Sequence, residues 1–301
     1  MLKVASALVF TVMSALVRWV SDAVPVGQVV FYRSAFAILP VVIIYAWQGQ
    51  LTSAVRTNRP FGHVTRGAIG LAGMVLSFAA LARLPLADVT AIGFAAPLIT
   101  VALAALLLKE RVRIYRWSAV GVGFAGVLVM LAPHLDVGRL TAGNTSETLG
   151  ASLALLGAFT SAASTIQTRR LTGSETNSAI VFYFSLFCAV GALLTWPFGW
   201  VTPTSTQLWA LIAIGLLGGI GHLLMTESFR LAPASVIAPF DYTSILWAFL
   251  LGFLLFAEVP AALVFIGAAI VSAAGLFVIW RERQLGLERA RPPAAGPPVA
   301  G

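Results

Sequence analysis

Residues 30–36 read VFYRSAF, and residues 181–187 read VFYFSLF. Two copies of one uncommon string within 301 residues indicate that the halves of the chain are built alike. Neighbouring segments recur in the same order. GLAGMVLSFAALARLPLADV (70–89) parallels GLLGGIGHLLMTESFRLAPASV (215–236) across a small gap. LLLKERV (106–112) parallels LLFAEVP (254–260), and each ends a helix on a glutamate, Glu110 or Glu258.

Composition says what the repeated unit is made of. The chain is 59% hydrophobic and 10% charged, with a mean hydropathy of +0.94, whereas a soluble domain is roughly 25% charged. Apolar runs of about 20 residues, long enough to cross a bilayer, recur along almost the whole sequence. Splitting at polar, proline-glycine and charged segments predicts ten spans, at 3–20, 27–47, 66–83, 87–108, 116–132, 148–169, 178–198, 207–229, 233–256 and 261–280. The fold expected is an all-α polytopic membrane protein. Its units are a first five-helix repeat over 1–133, a linker over 134–147 and a second five-helix repeat over 148–280. Residues 281–301, rich in Arg, Pro, Ala and Gly, read as a disordered basic tail. An odd number of helices per unit turns the second copy upside down, and inverted repeats are a transporter architecture.

Charge sets the expected orientation. The net charge of +8 lies in short loops and the tail, which suits topology and anionic lipid and argues against nucleic acid as a partner. Fifteen of the basic residues, from Lys3 to Arg291, fall on one side; only Arg18, Arg83 and Arg139 fall on the other. Both termini are therefore expected in the cytoplasm, with the protein in the inner or plasma membrane.

Charged groups inside a span are costly, about 2.5–3.5 kcal/mol at mid-bilayer, so they are the first candidates for function. Arg18, Asp22, Arg83 and Asp88 sit near helix ends and can reach the interface. Glu227 and Arg230 read as a surface pair one turn apart. Asp241 and His222 lie at similar depth on antiparallel helices and are expected to meet or share water. Such a couple could stabilise the fold, bind a substrate amine or pass a proton. Arg33 lies about 9 Å inside helix two, where the second repeat carries Phe184. It is expected to snorkel outward or pair with Asp88, with a carboxylate anchor as the rival reading. Pro97 and Pro239 lack a backbone N–H inside helices four and nine and are helix-bend candidates. Glu110 and Glu258 read as turn residues that cap the helix after them. The glycines of helices three and eight (67, 70, 73; 215, 218, 219, 221) read as close helix packing.

PLITVALAALLLKERV (97–112), SAVGVGFAGVLVML (118–131) and SILWAFLLGFLLFAEVPAALVFIGAAIVSAAGLFVIW (244–280) resemble the EamA family of the drug/metabolite transporter superfamily. The resemblance spans about residues 3–280 and departs from the family at one point: Pro97 has Ile245 as its counterpart in the second repeat. It implies a carrier of small organic solutes, foremost an exporter of amino acids, aromatic ones included. Riboflavin, S-adenosylmethionine and nucleotide-like metabolites are the alternative cargo. It also implies a central cavity, on whose helices Phe78, Phe94, Tyr242 and Trp247 could supply aromatic walls. The chain carries no GxxxxGK[ST] segment for ATP and no HExxH metal site, so no cofactor or metal is expected. With His63 and His134 read as loop residues and His222 alone as buried, an intramembrane enzyme is disfavoured.

Overall fold

The computed structural model describes residues 1–47, 49, 55–107, 113–134, 145–171, 174–231 and 238–290, and these residues are helical with short connections. The helices are α1 (Leu2–Val20), α2 (Val26–Trp47), α3 (Pro60–Leu81), α4 (Leu86–Gly93), α5 (Ala95–Leu107) and α6 (Ile114–Leu131). They continue as α7 (Thr145–Leu171), α8 (Asn177–Leu193), α9 (Ser205–Leu231), α10 (Thr243–Phe256) and α11 (Ala262–Ala290). Among the described residues eight helical segments are long and apolar enough to cross a membrane, with α4 and α5 counted as one. Two shorter apolar helices accompany them, Ser178–Leu193 and Phe240–Phe256.

Two elements depart from the expected continuous spans, both beside a proline. The expected fourth helix is broken at Phe94, between α4 and α5. Pro97, in the first turn of α5, has no N–H to offer the Gly93 carbonyl, and α4 ends at that carbonyl. Within the expected ninth helix, the described residues before Thr243 are not α-helical. Ala238–Tyr242, which includes Pro239, is a 3-10 turn, and α10 begins behind it. At the C-terminal end α11 runs past Trp280 to Ala290, so the first part of the segment read as a tail is helical. Glu110, Ala232, the linker stretch 135–144 and residues 291–301 lie outside the described residues.

The packing is a bundle in which neighbours in sequence are often not neighbours in space. α3 lies against α7 and α8, α9 against α1 and α2, α2 against α8, and α6 against α11. Leu84, Leu86, Ile92, Met130, Leu211 and Ile214 are fully enclosed in the core. Large apolar side chains such as Ile43, Leu106, Leu128, Leu246 and Phe253 face outward instead. An apolar exterior around an apolar core suits helices solvated by lipid rather than water.

Glycines set the closest approaches. A Cβ on Gly67, Gly70 or Gly73 of α3 would run into Phe187, Phe184 or Thr160. On Gly215, Gly218 or Gly221 of α9 it would meet Phe36, Arg33 or Phe10. Only hydrogen in place of Cβ lets α3 and α9 settle on those side chains. Gly126 and Gly267 do the same at the α6–α11 crossing, where a Cβ on Gly126 would stand 3.0 Å from the Gly267 carbonyl oxygen.

Candidate functional site

The most concentrated polar chemistry inside the bundle gathers around Phe184 of α8. Arg33 reaches it from α2, its guanidinium carbon 6.0 Å from the ring centroid. Arg66 reaches it from α3 and lies closer, at 4.1 Å. A guanidinium over an aromatic face is attracted by the ring quadrupole, which is one reason two cations tolerate this interior. Arg66 also donates its Nε–H to Thr168 Oγ1 on α7, at 2.8 Å. Arg33 Nη2 stands 3.0 Å from His222 Nε2 on α9. Phe10 from α1 and the His222 ring meet nearly at right angles with centroids 5.2 Å apart. Arg33 is 5% exposed, and Nη1 of Arg33 and Nη1 of Arg66 are both enclosed without a hydrogen-bond partner.

A second polar group lies on α1 and the 3-10 turn. Lys3 Nζ is 2.7 Å from Asp241 Oδ1, with the lysine side chain 6% exposed and the aspartate 47% exposed. Tyr242, next in the chain, stacks on Phe94 with centroids 4.9 Å apart and planes 23° apart. Phe94 is the residue at the α4–α5 break, so the two non-α turns face one another through this stack. The Trp247 indole Nε1 is enclosed without a partner. Phe78 is buried in the hydrophobic core.

Further ion pairs tie loops to helix ends. Asp88 Oδ2 is 3.0 Å from His134 Nε2, and Glu147 approaches the other ring nitrogen at 4.0 Å. Glu258 Oε1 meets Arg18 Nε at 3.3 Å while Oε2 accepts the Leu86 N–H at 2.9 Å. Glu175 accepts the Asn58 N–H at 2.8 Å and lies 3.5 Å from His63 Nε2. Burial pushes the Glu175 carboxyl up, but the Asn58 amide, His63 and Thr57 together outweigh it and hold the group below the ordinary carboxylate range.

The expected couplings therefore change partners. Asp241 pairs with Lys3 and His222 with Arg33, so the predicted Asp241–His222 couple is not formed. Asp88 is taken by His134, which leaves Arg33 to the interior. His63 and His134 are buried, not loop-exposed, because helix α3 begins earlier and the turn after α6 folds inward. Glu258 caps α4, which precedes it in the chain, and not the helix that follows it. Arg66 is the first residue of the expected span 66–83. It lies well inside α3, since Pro60 opens that helix. Pro60 was the available sign of the earlier start; Lys3 and Phe184 carried none.

The sequence carries two matches to one family model, over residues 1–132 and 148–281, described as the EamA-like transporter family. The chain belongs to this family. It is similar to the S-adenosylmethionine uptake transporter of Rickettsia prowazekii, 30% identical over 84% of this chain and 82% of that one. It is also similar to the riboflavin transporter of Rhizobium johnstonii, 29% identical over 97% and 92% of the two chains. The pseudopaline exporter CntI of Pseudomonas aeruginosa is 30% identical over 91% and 93%. A solved crystal structure shares the fold at a TM-score of 0.65 with 19% identity, covering 93% of this chain and 97% of that one. This EamA-family chain is a multi-pass membrane transporter of small metabolites. None of these three named relatives is an amino-acid exporter.

Proposed function

We propose that this EamA-family protein is a secondary transporter that carries its cargo by alternating access between two inverted five-helix repeats. The observation that carries the reading is the mirrored glycine packing. Gly67 and Gly70 of α3 seat on Phe187 and Phe184, and Gly215 and Gly218 of α9 seat on Phe36 and Arg33. Phe36 and Phe187, like Arg33 and Phe184, hold the same positions in the two VFY strings. The pairs α3–α7 and α9–α1 likewise exchange when each span is replaced by its counterpart five spans on. A glycine-lined helix on side-chain knobs can slide or tilt, which suits rocking of one repeat on the other.

In this reading both termini face the cytoplasm, which the distribution of basic residues supports. The cargo joins a charged head to an apolar or aromatic body, as an amino acid or an amino-acid-derived metabolite does. Arg33 and His222 would serve the head. Phe94, Tyr242 and Trp247 would line the path, with Asp241 available to an amine, and Phe78 would support the wall from the core. Export of amino acids, aromatic ones among them, remains the first substrate reading. The relatives favour a second: S-adenosylmethionine, itself an amino acid, or a flavin, whose flat ring suits the Phe94–Tyr242 stack.

Counterflow into proteoliposomes tests both, using labelled methionine, phenylalanine, S-adenosylmethionine and riboflavin, with and without a pH gradient. Saturable exchange of at least one compound is expected. A dependence on the gradient would assign proton coupling, and exchange of none would reject the cargo class.

A further inference from the structure

Two arginines inside a membrane bundle call for an anion. Arg33 and Arg66 lie on different helices, α2 and α3, yet both turn toward the Phe184 ring. Neither has a carboxylate among the ion pairs found in the described residues, which join Lys3, Arg18, His63 and His134 to their acids. The neighbours of the two guanidiniums include a histidine nitrogen, a threonine hydroxyl, the buried Cys188 thiol and an aromatic face. Each supports a cation weakly, and none neutralises it. Each guanidinium keeps one enclosed nitrogen, Nη1, with no acceptor. An orphaned charged donor in a low-dielectric interior is costly unless an acceptor arrives.

We propose that Arg33 and Arg66 together form the binding locus for an oxyanion, the carboxylate or phosphate of the cargo, with Phe184 as their shared platform. The planar fork of each guanidinium matches the two oxygens of a carboxylate, and two forks brought to one ring from separate helices would hold it between them. The site rests on the transporter reading, because the anion is cargo that comes and goes and not a permanent counter-ion. It adds Arg66 and Phe184 to the residues read from the sequence, and it restricts cargo to compounds that bear an acid group. A neutral compound such as riboflavin would not use it. The glycines fix the geometry: Gly218 lets α9 lie against Arg33, and Gly70 lets α3 lie against Phe184. Motion of α3 would therefore change the separation of the two arginines, and motion of α9 would carry His222 away from Arg33, which links anion occupancy to rocking.

The test separates the anion site from the transport reading. Thermal unfolding of the protein in neutral detergent is followed while acetate, succinate and inorganic phosphate are titrated at constant ionic strength. Wild type is expected to show a saturable rise in Tm. Arg33→Gln and Arg66→Gln are expected to weaken half-saturation at least about tenfold, as for loss of a charge-assisted fork. Arg33→Lys and Arg66→Lys keep the charge and are expected to retain part of the response. Arg113→Gln, at an exposed position, is expected to leave it intact. Equal responses in wild type and both Gln variants would overturn the site. So would stabilisation by phosphatidylglycerol alone, since the headgroup would then be the occupant. If the soluble-anion response follows the arginines but no compound is exchanged in proteoliposomes, the transport reading fails and the anion site stands.

Discussion

Arg33 Nη2 lies 3.0 Å from His222 Nε2, a contact between α2 and α9 in the middle of the bundle. A guanidinium has five donors and no acceptor, so the lone pair must come from the imidazole, and the ring proton belongs on Nδ1. The histidine thus orients the arginine rather than competing with it. His222→Leu removes the acceptor beside a buried guanidinium and is expected to lower stability by about 1–3 kcal/mol. His222→Gln, whose amide oxygen can take the same bond, is expected to lose less. Urea or thermal unfolding in detergent compares the two. Equal losses would mean that shape, not the acceptor, is what the site needs.

Asp241 and Lys3 predict an asymmetry. The carboxylate is half in the open and the ammonium is enclosed. Asp241→Asn takes a carboxylate that water can reach away from an enclosed ammonium and is expected to cost about 1–3 kcal/mol. Lys3→Met leaves an aspartate that water can reach, and its apolar side chain fills the lysine's space, so the loss should be smaller. The double variant should recover most of the stability lost in Asp241→Asn. Unfolding curves of the three variants decide it, and a larger loss in Lys3→Met would refute the argument.

Spans were legible because they depend on a local quantity, the length of apolar sequence. Pro97 marked a bend in the fourth span, since a missing N–H acts on the carbonyl four residues back, but the span was expected to run on unbroken. Partners were not legible. Asp241 and His222 were expected at one depth, but Asp241 meets Lys3 at the start of α1, while His222 packs on Phe10 further along α1 and contacts Arg33 of α2. Arg66 was misplaced for a different reason. Its helix begins in the polar stretch PFGHVTR, which hydropathy assigns to a loop while the proline at its start signals a helix. Glu258 shows the same limit: its role as a cap was readable from residue type, but the helix it caps lies far back in the chain.

The turn that carries Glu258 holds two separable effects. Glu258→Ala loses both the Leu86 N–H and Arg18, whereas Arg18→Ala loses only the ion pair. The glutamate variant is expected to cost about 1–2 kcal/mol and the arginine variant less than about 1 kcal/mol. Next to it, Ala257 ends α10 in the left-handed region at φ 53° and ψ 28°. A side chain there is strained and glycine is not, so Ala257→Gly is expected to stabilise by a few tenths to about 1 kcal/mol. A fall in Tm for Ala257→Gly would show that unfolded-state entropy outweighs the relief.

Glu175 makes the pH dependence. It joins the start of α3 to the connection between α7 and α8 through the Asn58 N–H and His63. The Tyr183 ring packs on His63 at 4.8 Å, and its hydroxyl donates to the Val55 carbonyl at 2.8 Å, so the clasp is continuous. The folded carboxyl titrates below its ordinary value of 4.5. Its stabilising contribution is therefore complete above 4.5 and is lost as pH falls through the lowered folded value, where folded and unfolded states are both protonated. Glu175→Gln removes that dependence while keeping an acceptor for Asn58. Tm profiles between about pH 7 and pH 3 should converge at the acid end, with wild type higher at the neutral end. A constant offset at every pH would show that the clasp holds by shape and hydrogen bonding without the charge.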